Sequence, residues 1–182
     1  MSDEDLVKRL REGDISAFDE LYRRYHRRLF GYVARQVRDG AQAEDLFQEI
    51  FLTVLEDRSF DLSQGRFAAW LFTVARNRCL NALRSDQRQR RALARAADEE
   101  RAATRSPDDL SQTLARGRTL QGAIERLSTA HQQVLLLKQV GELSYREIAE
   151  VQQVPEGTVK SRVHAAIAAL RGALDEEEQW DG

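Results

Sequence analysis

Apolar residues recur at Phe18, Leu21, Tyr22, Tyr25, Leu29, Tyr32 and Val33. This is the three-and-four spacing of an amphipathic helix. "RDGAQ" interrupts it, and Leu46, Phe47, Ile50, Phe51, Val54 and Leu55 then form a second wide stripe. Asp45, Gln48, Glu49 and Leu52 fall on the opposite side of that helix. "RSFDLSQGRFAAW" carries Ser, Asp and Gly and reads as a loop. A third helix follows in "FAAWLFTVARNRCLNALRSDQRQRR". Its core arc predicts Leu71, Phe72, Ala75, Cys79, Ala82 and Leu83. The other arc holds Trp70, Val74, Asn77, Asn81, Arg84 and Arg88.

The stripe then stops. "SDQRQRRALARAADEERAATRSPDDLSQTLARG" is rich in Ala, Arg and Glu and has no apolar face with which to dock. Its composition allows helix as far as Arg105, before Ser106-Pro107, and it reads as a linker. Beyond it the pattern resumes. Ile124 and Leu127 end one short helix, Val134, Leu135, Leu137 and Lys138 lie on the next, and "GELS" breaks the chain. Ser144 and Glu147 have the spacing of a capping box at the start of a helix that buries Ile148, Ala149 and Val151. That helix lasts about two turns before "QQV", and Pro155 suits the opening of another. A short capped helix, a tight turn and a longer helix with polar residues at its start make a helix-turn-helix layout.

The pattern predicts an all-α chain of two small helical domains: 1–91, a flexible linker 92–117, a second domain 118–174, and an acidic tail 175–182. Composition agrees. The 182 residues hold only two prolines, and 42% are apolar. A single cysteine excludes a disulfide framework and a cysteine zinc site. The acidic start "MSDEDLVKRL" lacks the apolar core of a secretory signal, and no aliphatic run is long enough to span a membrane. The expected location is therefore the cytoplasm.

Charge changes the picture more. The formal net charge of −2 hides a segregation. Residues 18–91 carry 14 basic and 10 acidic side chains, and 118–174 carry 7 and 5, whereas the tail "DEEEQWDG" carries five acidic ones. Two basic blocks flanked by acidic ones fit two domains meeting a polyanion, and equally fit well-solvated helical surfaces.

Three faces carry candidate chemistry. A leucine among carboxylates, as in Asp45, Gln48, Glu49 and Leu52, has the composition of an apolar anchor with a polar rim. It also fits a solvated face with one stray leucine. Trp70, Asn77, Asn81, Arg84 and Arg88 combine a ring for stacking, amides for base edges and guanidiniums for phosphates. Alternatively, Trp70 is half-buried and the arginines cover surface. From Pro155 on, Val159, Val163, Ala166, Ile167, Leu170 and Leu174 form a buried arc. Thr158, Ser161, Arg162, Ala165, Ala168 and Ala169 lie outside it, with Lys160 and His164 in the same first turns, and only Arg171 continues the charge beyond them. Polar contacts are thus compressed into the first two turns of that helix. Cys79, on an apolar arc, reads as a buried thiol. No metal or cofactor site is expected. Glu44, Asp45 and Glu49 give only weak support to a metal-dependent nuclease, because His26, His131 and His164 are scattered. A stand-alone helix-turn-helix regulator would explain 118–174 but leave the first two faces unused.

The motifs "AFDELYRRYHRRLFGYVARQV", "AEDLFQEIFLTVL", "FAAWLFTVARNRCLNALR", "LSYREIAE" and "PEGTVKSRV", in this order, resemble the successive regions of an extracytoplasmic-function (ECF) sigma factor of the sigma-70 family. The resemblance covers roughly residues 10–174. It implies a non-enzymatic initiation factor that binds core RNA polymerase and selects promoters. Asp45, Gln48, Glu49 and Leu52 would dock on the clamp helices of the largest subunit. The loop Phe60–Arg66, with Ser63 and Gln64 lining a pocket for a flipped base, would capture the melted −10 element together with Trp70, Asn77, Asn81, Arg84 and Arg88. Thr158, Lys160, Ser161, Arg162, His164, Ala165 and Arg171 would meet the −35 element. Many family members have arginine at the position of Ala165. The family further implies contact with the polymerase flap, an anti-sigma factor, no membrane insertion, and a nucleoid location within the holoenzyme.

Overall fold

Ser2 and Asp5 form a reciprocal capping box at the head of a helix, α1 (Asp3–Arg11), that the apolar pattern had not announced. Leu6 and Val7 are its buried residues. Gly13, at φ 97°, turns the chain in a conformation that glycine adopts without strain. The long α2 (Ile15–Val37) then begins. It is followed by α3 (Gly40–Glu56) and α4 (Phe67–Glu100). The second half comprises α5 (Leu120–Arg126), α6 (Thr129–Gln139), α7 (Tyr145–Gln152) and α8 (Glu156–Glu178). The computed structural model describes residues 1–37, 39–56, 60, 61, 66–100 and 120–178, without side-chain surroundings for 95–100, 120, 121 and 174–178. Every regular element among them is an α-helix.

The first bundle packs α1, α3 and α4 around α2. Leu21, Tyr25, Leu29, Tyr32 and Val33 of α2 are buried, as the spacing predicts, whereas Tyr22 remains 40% exposed. Tyr25 meets Phe67 edge-on and Tyr32 meets Phe72. The predicted core arcs of α3 and α4 are too wide by one residue each. Leu55 is 44% exposed and Leu83 is 36% exposed. Each sits at the margin of its stripe, where the neighbouring helix no longer covers it. α4 continues as helix through Glu100, into the stretch expected to be linker. The remainder of that stretch lies outside the described residues.

The second bundle wraps α5, α6 and α7 around α8. Val134, Leu137, Leu143, Ile148, Val151, Val159, Val163 and Ala166 are buried in it. The tail expected from residue 175 begins as helix, since α8 runs to Glu178. The two bundles touch. α4 packs against α7, and one buried cluster runs through both. At the seam, a methyl group on Gly141 would lie 3.0 Å from Phe72 Cε1, and one on Gly31 would lie 3.0 Å from Val140 Cγ1. Small residues thus set the approach on both sides.

Candidate nucleic-acid and protein interfaces

On α3 the core takes Ala43, Leu46, Ile50, Phe51 and Val54. Asp45, Gln48, Glu49 and Leu52 are all exposed. Leu52 shows 52% of its surface, and Leu55, one turn on, extends the apolar part of the face. The carboxylates are not equivalent. Glu49 Oε2 accepts from Arg78 Nη1 at 2.7 Å, and Arg78 Nη2 also donates to Thr53 Oγ1 at 2.9 Å. Glu49 is therefore tied to α4 while it borders the face. Among the described residues, no group of three histidine, cysteine or carboxylate side chains is arranged to hold a metal ion.

On α4, Asn77, Asn81, Arg84 and Arg88 are exposed along one side. Trp70 stands at its N-terminal end, half-buried, with its ring tilted against Phe60 at 5.6 Å and Phe67 at 5.7 Å. Its remaining surface continues the polar row. Phe60 differs from expectation: only 3% of it is exposed. It packs on Phe67 and Trp70. A ring so covered supports Trp70 from beneath and has no face to offer DNA. Ser63 and Gln64 lie outside the described residues. On the opposite arc Cys79 is 1% exposed, and burial pushes its thiol up to about 11. A protonated, covered sulfur is chemically quiet.

The α7–α8 pair has the predicted local geometry. Ser144 Oγ accepts from the Glu147 amide at 3.2 Å, and the Glu147 carboxylate accepts from the Ser144 amide at 2.8 Å. α7 ends on Gln153 in the left-handed conformation, φ 55°. The carbonyl of Pro155 accepts from the Thr158 amide at 2.9 Å and opens α8. Val159, Val163 and Ala166 are buried, and Ile167 and Leu170 are half-buried. Leu174 lies where side chains are not described. Lys160, Ser161, His164, Ala165 and Arg171 are exposed, while Thr158 and Arg162 are half-buried. Arg162 Nη1 donates to Gln152 Oε1 at 3.2 Å, bracing α8 on α7. Ser161 Oγ donates to the Thr158 carbonyl at 2.9 Å.

The sequence reading missed α1. Its signal was the Ser2–Asp5 capping spacing followed by Leu6, Val7 and Leu10. Asp3 accepts from Arg24 at 2.7 Å and from the Tyr25 hydroxyl, which fastens α1 to α2. Among the described residues, no helix is long and apolar enough to cross a membrane.

Residues 21–89 match the family Sigma-70 region 2, and residues 117–170 match Sigma-70, region 4. The chain is 36% identical to RNA polymerase sigma factor CarQ of Myxococcus xanthus over 94% of its own length and 97% of that protein. Several relatives bearing the name ECF RNA polymerase sigma factor are 30 to 33% identical. Among solved structures, the fold is similar to CnrH in complex with the cytosolic domain of CnrY. The TM-score is 0.70, the identity 22%, and the match covers 97% of this chain and 99% of that one. It is also similar to the sigma factor RpoE of Bartonella quintana, solved with the anti-sigma factor NepR. There the TM-score is 0.59, the identity 23%, and the coverage 87% and 96%.

Proposed function

The chain belongs to the sigma-70 family, in its extracytoplasmic-function class, and directs RNA polymerase to promoters without being an enzyme; from that premise we propose how its three exposed faces divide the work. The α3 face of Asp45, Gln48, Glu49 and Leu52 docks on the clamp helices of the polymerase largest subunit. An exposed leucine between carboxylates fits a partner that presents an apolar patch and basic side chains. The α4 face takes the melted −10 strand. Trp70 stacks on a base, Asn77 and Asn81 bond exposed base edges, and Arg84 and Arg88 hold phosphates. The start of α8 enters the major groove of the −35 element, where Lys160, Ser161, Arg162 and His164 lie in its first turns. Arg171, farther along, is within reach of the backbone.

The observation that carries this division is the exposure of Asn77, Asn81, Arg84 and Arg88, in line with half-buried Trp70, on one side of a helix separate from the helix-turn-helix. A regulator that reads only duplex DNA has no use for a base-stacking face on a second bundle. Polymerase makes the bonds, and this chain chooses where. The linker is suited to thread the polymerase between the two bundles, with the second bundle near the flap. An anti-sigma factor as regulator fits the family, and RpoE of Bartonella quintana has been solved with one.

Run-off transcription over a random promoter library, with core polymerase and with or without the chain, tests the reading. Chain-dependent transcripts sharing a −10 and a −35 sequence are expected. Tight sequence-specific duplex binding by the isolated chain, with no effect on polymerase, would replace this reading with the regulator.

A further inference from the structure

Two side chains of α1 reach the residues on which Trp70 rests. Arg11 Nη2 donates to the Phe60 carbonyl at 2.7 Å. Glu4 Oε1 accepts from the Phe67 amide at 3.3 Å. The two lie seven positions apart, which is about two turns, so one face of α1 serves both. One bond holds the chain shortly after α3 ends, and the other holds it where α4 begins.

The Glu4 contact has a specific physical role. The first amides of a helix have no intrahelical acceptor, and that end carries partial positive charge. α4 begins after Arg66, whose carbonyl accepts from the Trp70 amide at 3.0 Å. An arginine side chain has no acceptor atom with which to cap. Glu4 therefore supplies from another helix the carboxylate that α4 lacks at its own start. Both α1 bonds join a charged group to the backbone; the Arg11 bond has the short distance of the stronger, charge-assisted class, and the Glu4 contact is longer. α1 is itself well anchored, by buried Leu6 and Val7 and by Asp3 on Arg24 and Tyr25. A fixed helix thus holds Phe60 and Phe67, and these two rings hold Trp70.

We propose that Glu4 and Arg11 are positioning residues for capture of the −10 strand: they fix Phe60 and the first turn of α4, and through the Phe60–Phe67–Trp70 cluster they set the plane on which a base stacks. This rests on the reading that the α4 face takes that strand. Base stacking needs a ring held at one angle, since contact is lost when the plane tilts. Neither residue needs to touch DNA to affect it.

Probe binding is measured with the full chain in holoenzyme, and Trp70 emission with the free full chain carrying Trp180→Phe, in which Trp70 is the only tryptophan. The probe is a promoter recovered from the random library, as duplex and with its −10 segment left single-stranded. Arg11→Ala and Glu4→Ala are expected to weaken binding to the pre-melted probe roughly fivefold each, less than the full loss of a charge-assisted bond because the effect reaches the DNA only through Trp70. Trp70 emission should shift in both, while affinity for core polymerase stays unchanged. Arg11→Lys and Glu4→Gln, which keep a donor and an acceptor, should recover most of the binding. All variants are compared below the melting temperature of the least stable. The proposal is overturned if the alanine variants leave Trp70 emission and probe binding unchanged. It is also overturned if they lose core affinity in parallel or are not recovered by the conservative variants, since α1 is then a general stabiliser. Trp70→Ala separates the two levels. If it too leaves probe binding intact, the assignment of the α4 face fails and the proposal goes with it. If it abolishes binding while the α1 variants do nothing, only the role of α1 fails.

Discussion

Glu156 and Lys160 pair across one turn at the start of α8, 2.8 Å from Oε1 to Nζ. Their interaction holds the Glu156 carboxyl below its ordinary range and the Lys160 ammonium above its own. The pair lies in the segment proposed to meet DNA, so a phosphate must compete with Glu156 for Lys160 and also approach a carboxylate. Glu156→Gln is expected to tighten holoenzyme binding to a −35 duplex about threefold at ~0.1 M salt, with a smaller gain at high salt. A salt titration of Kd checks this. An unchanged Kd would mean that Lys160 meets no phosphate.

Ala165 is exposed on the outer arc of α8, next to His164 and one turn beyond Ser161 and Arg162. An arginine there gains a phosphate contact if that arc faces the duplex. Ala165→Arg should raise −35 affinity and steepen the slope of log K against log salt by about one. A flat response would turn this side of α8 away from DNA.

Asp45 is exposed, whereas its neighbour Glu49 is committed to Arg78. Asp45 is therefore the cleaner probe of docking. Asp45→Arg is expected to weaken binding to core polymerase roughly tenfold, since it reverses the charge facing a basic partner, and to leave the melting temperature within about a degree. Glu49→Ala would confound docking with loss of the α3–α4 bridge. Equal core affinity for wild type and Asp45→Arg removes α3 from the interface.

Burial raises the proton affinities of Cys79, Tyr25 and Tyr32 in the folded chain. For such acids the folded state keeps its proton longer than the unfolded chain does. Stability is therefore whole below the ordinary thiol value and declines as pH rises beyond it. The urea midpoint should hold steady from pH 7 to about 8, then fall progressively as the thiol and, at higher pH, the phenols of the unfolded chain ionise. Cys79 should also resist thiol reagents at pH 8 until urea opens the first bundle. Rapid labelling of the native chain would contradict its burial.

Much of this architecture was legible in the sequence for local reasons. The Ser144–Glu147 capping box, the short run to "QQV" and Pro155 each specify a helix end chemically, so α7, the turn and α8 came out as read. The spacing of Leu21, Tyr25, Leu29, Tyr32 and Val33 marked the buried side of α2 in the same way. The misses occurred where tertiary neighbours decide. Leu55 and Leu83 have core character but lie beyond the reach of the adjoining helix. Phe60 belongs to the loop that the resemblance implies for DNA, yet Phe67 and Trp70 cover it. α1 is only nine residues long, six of them charged, too short for three apolar residues to make a clear period. The seam between the bundles leaves no local trace, since it depends on two glycines, Gly31 and Gly141, that any turn or helix could have carried.

That seam has a consequence for length. The fold is elongated, since α4 alone, at 34 residues, spans about 51 Å. On the proposed assignment its two DNA-reading faces must reach sites roughly 60 Å or more apart along a duplex that rises ~3.4 Å per base pair. With α4 packed against α7, the seam fixes one separation between those faces. On that assignment, any other separation parts Phe72 from Gly141 and Val140 from Gly31, and the work of parting them is deducted from the binding free energy of the open complex.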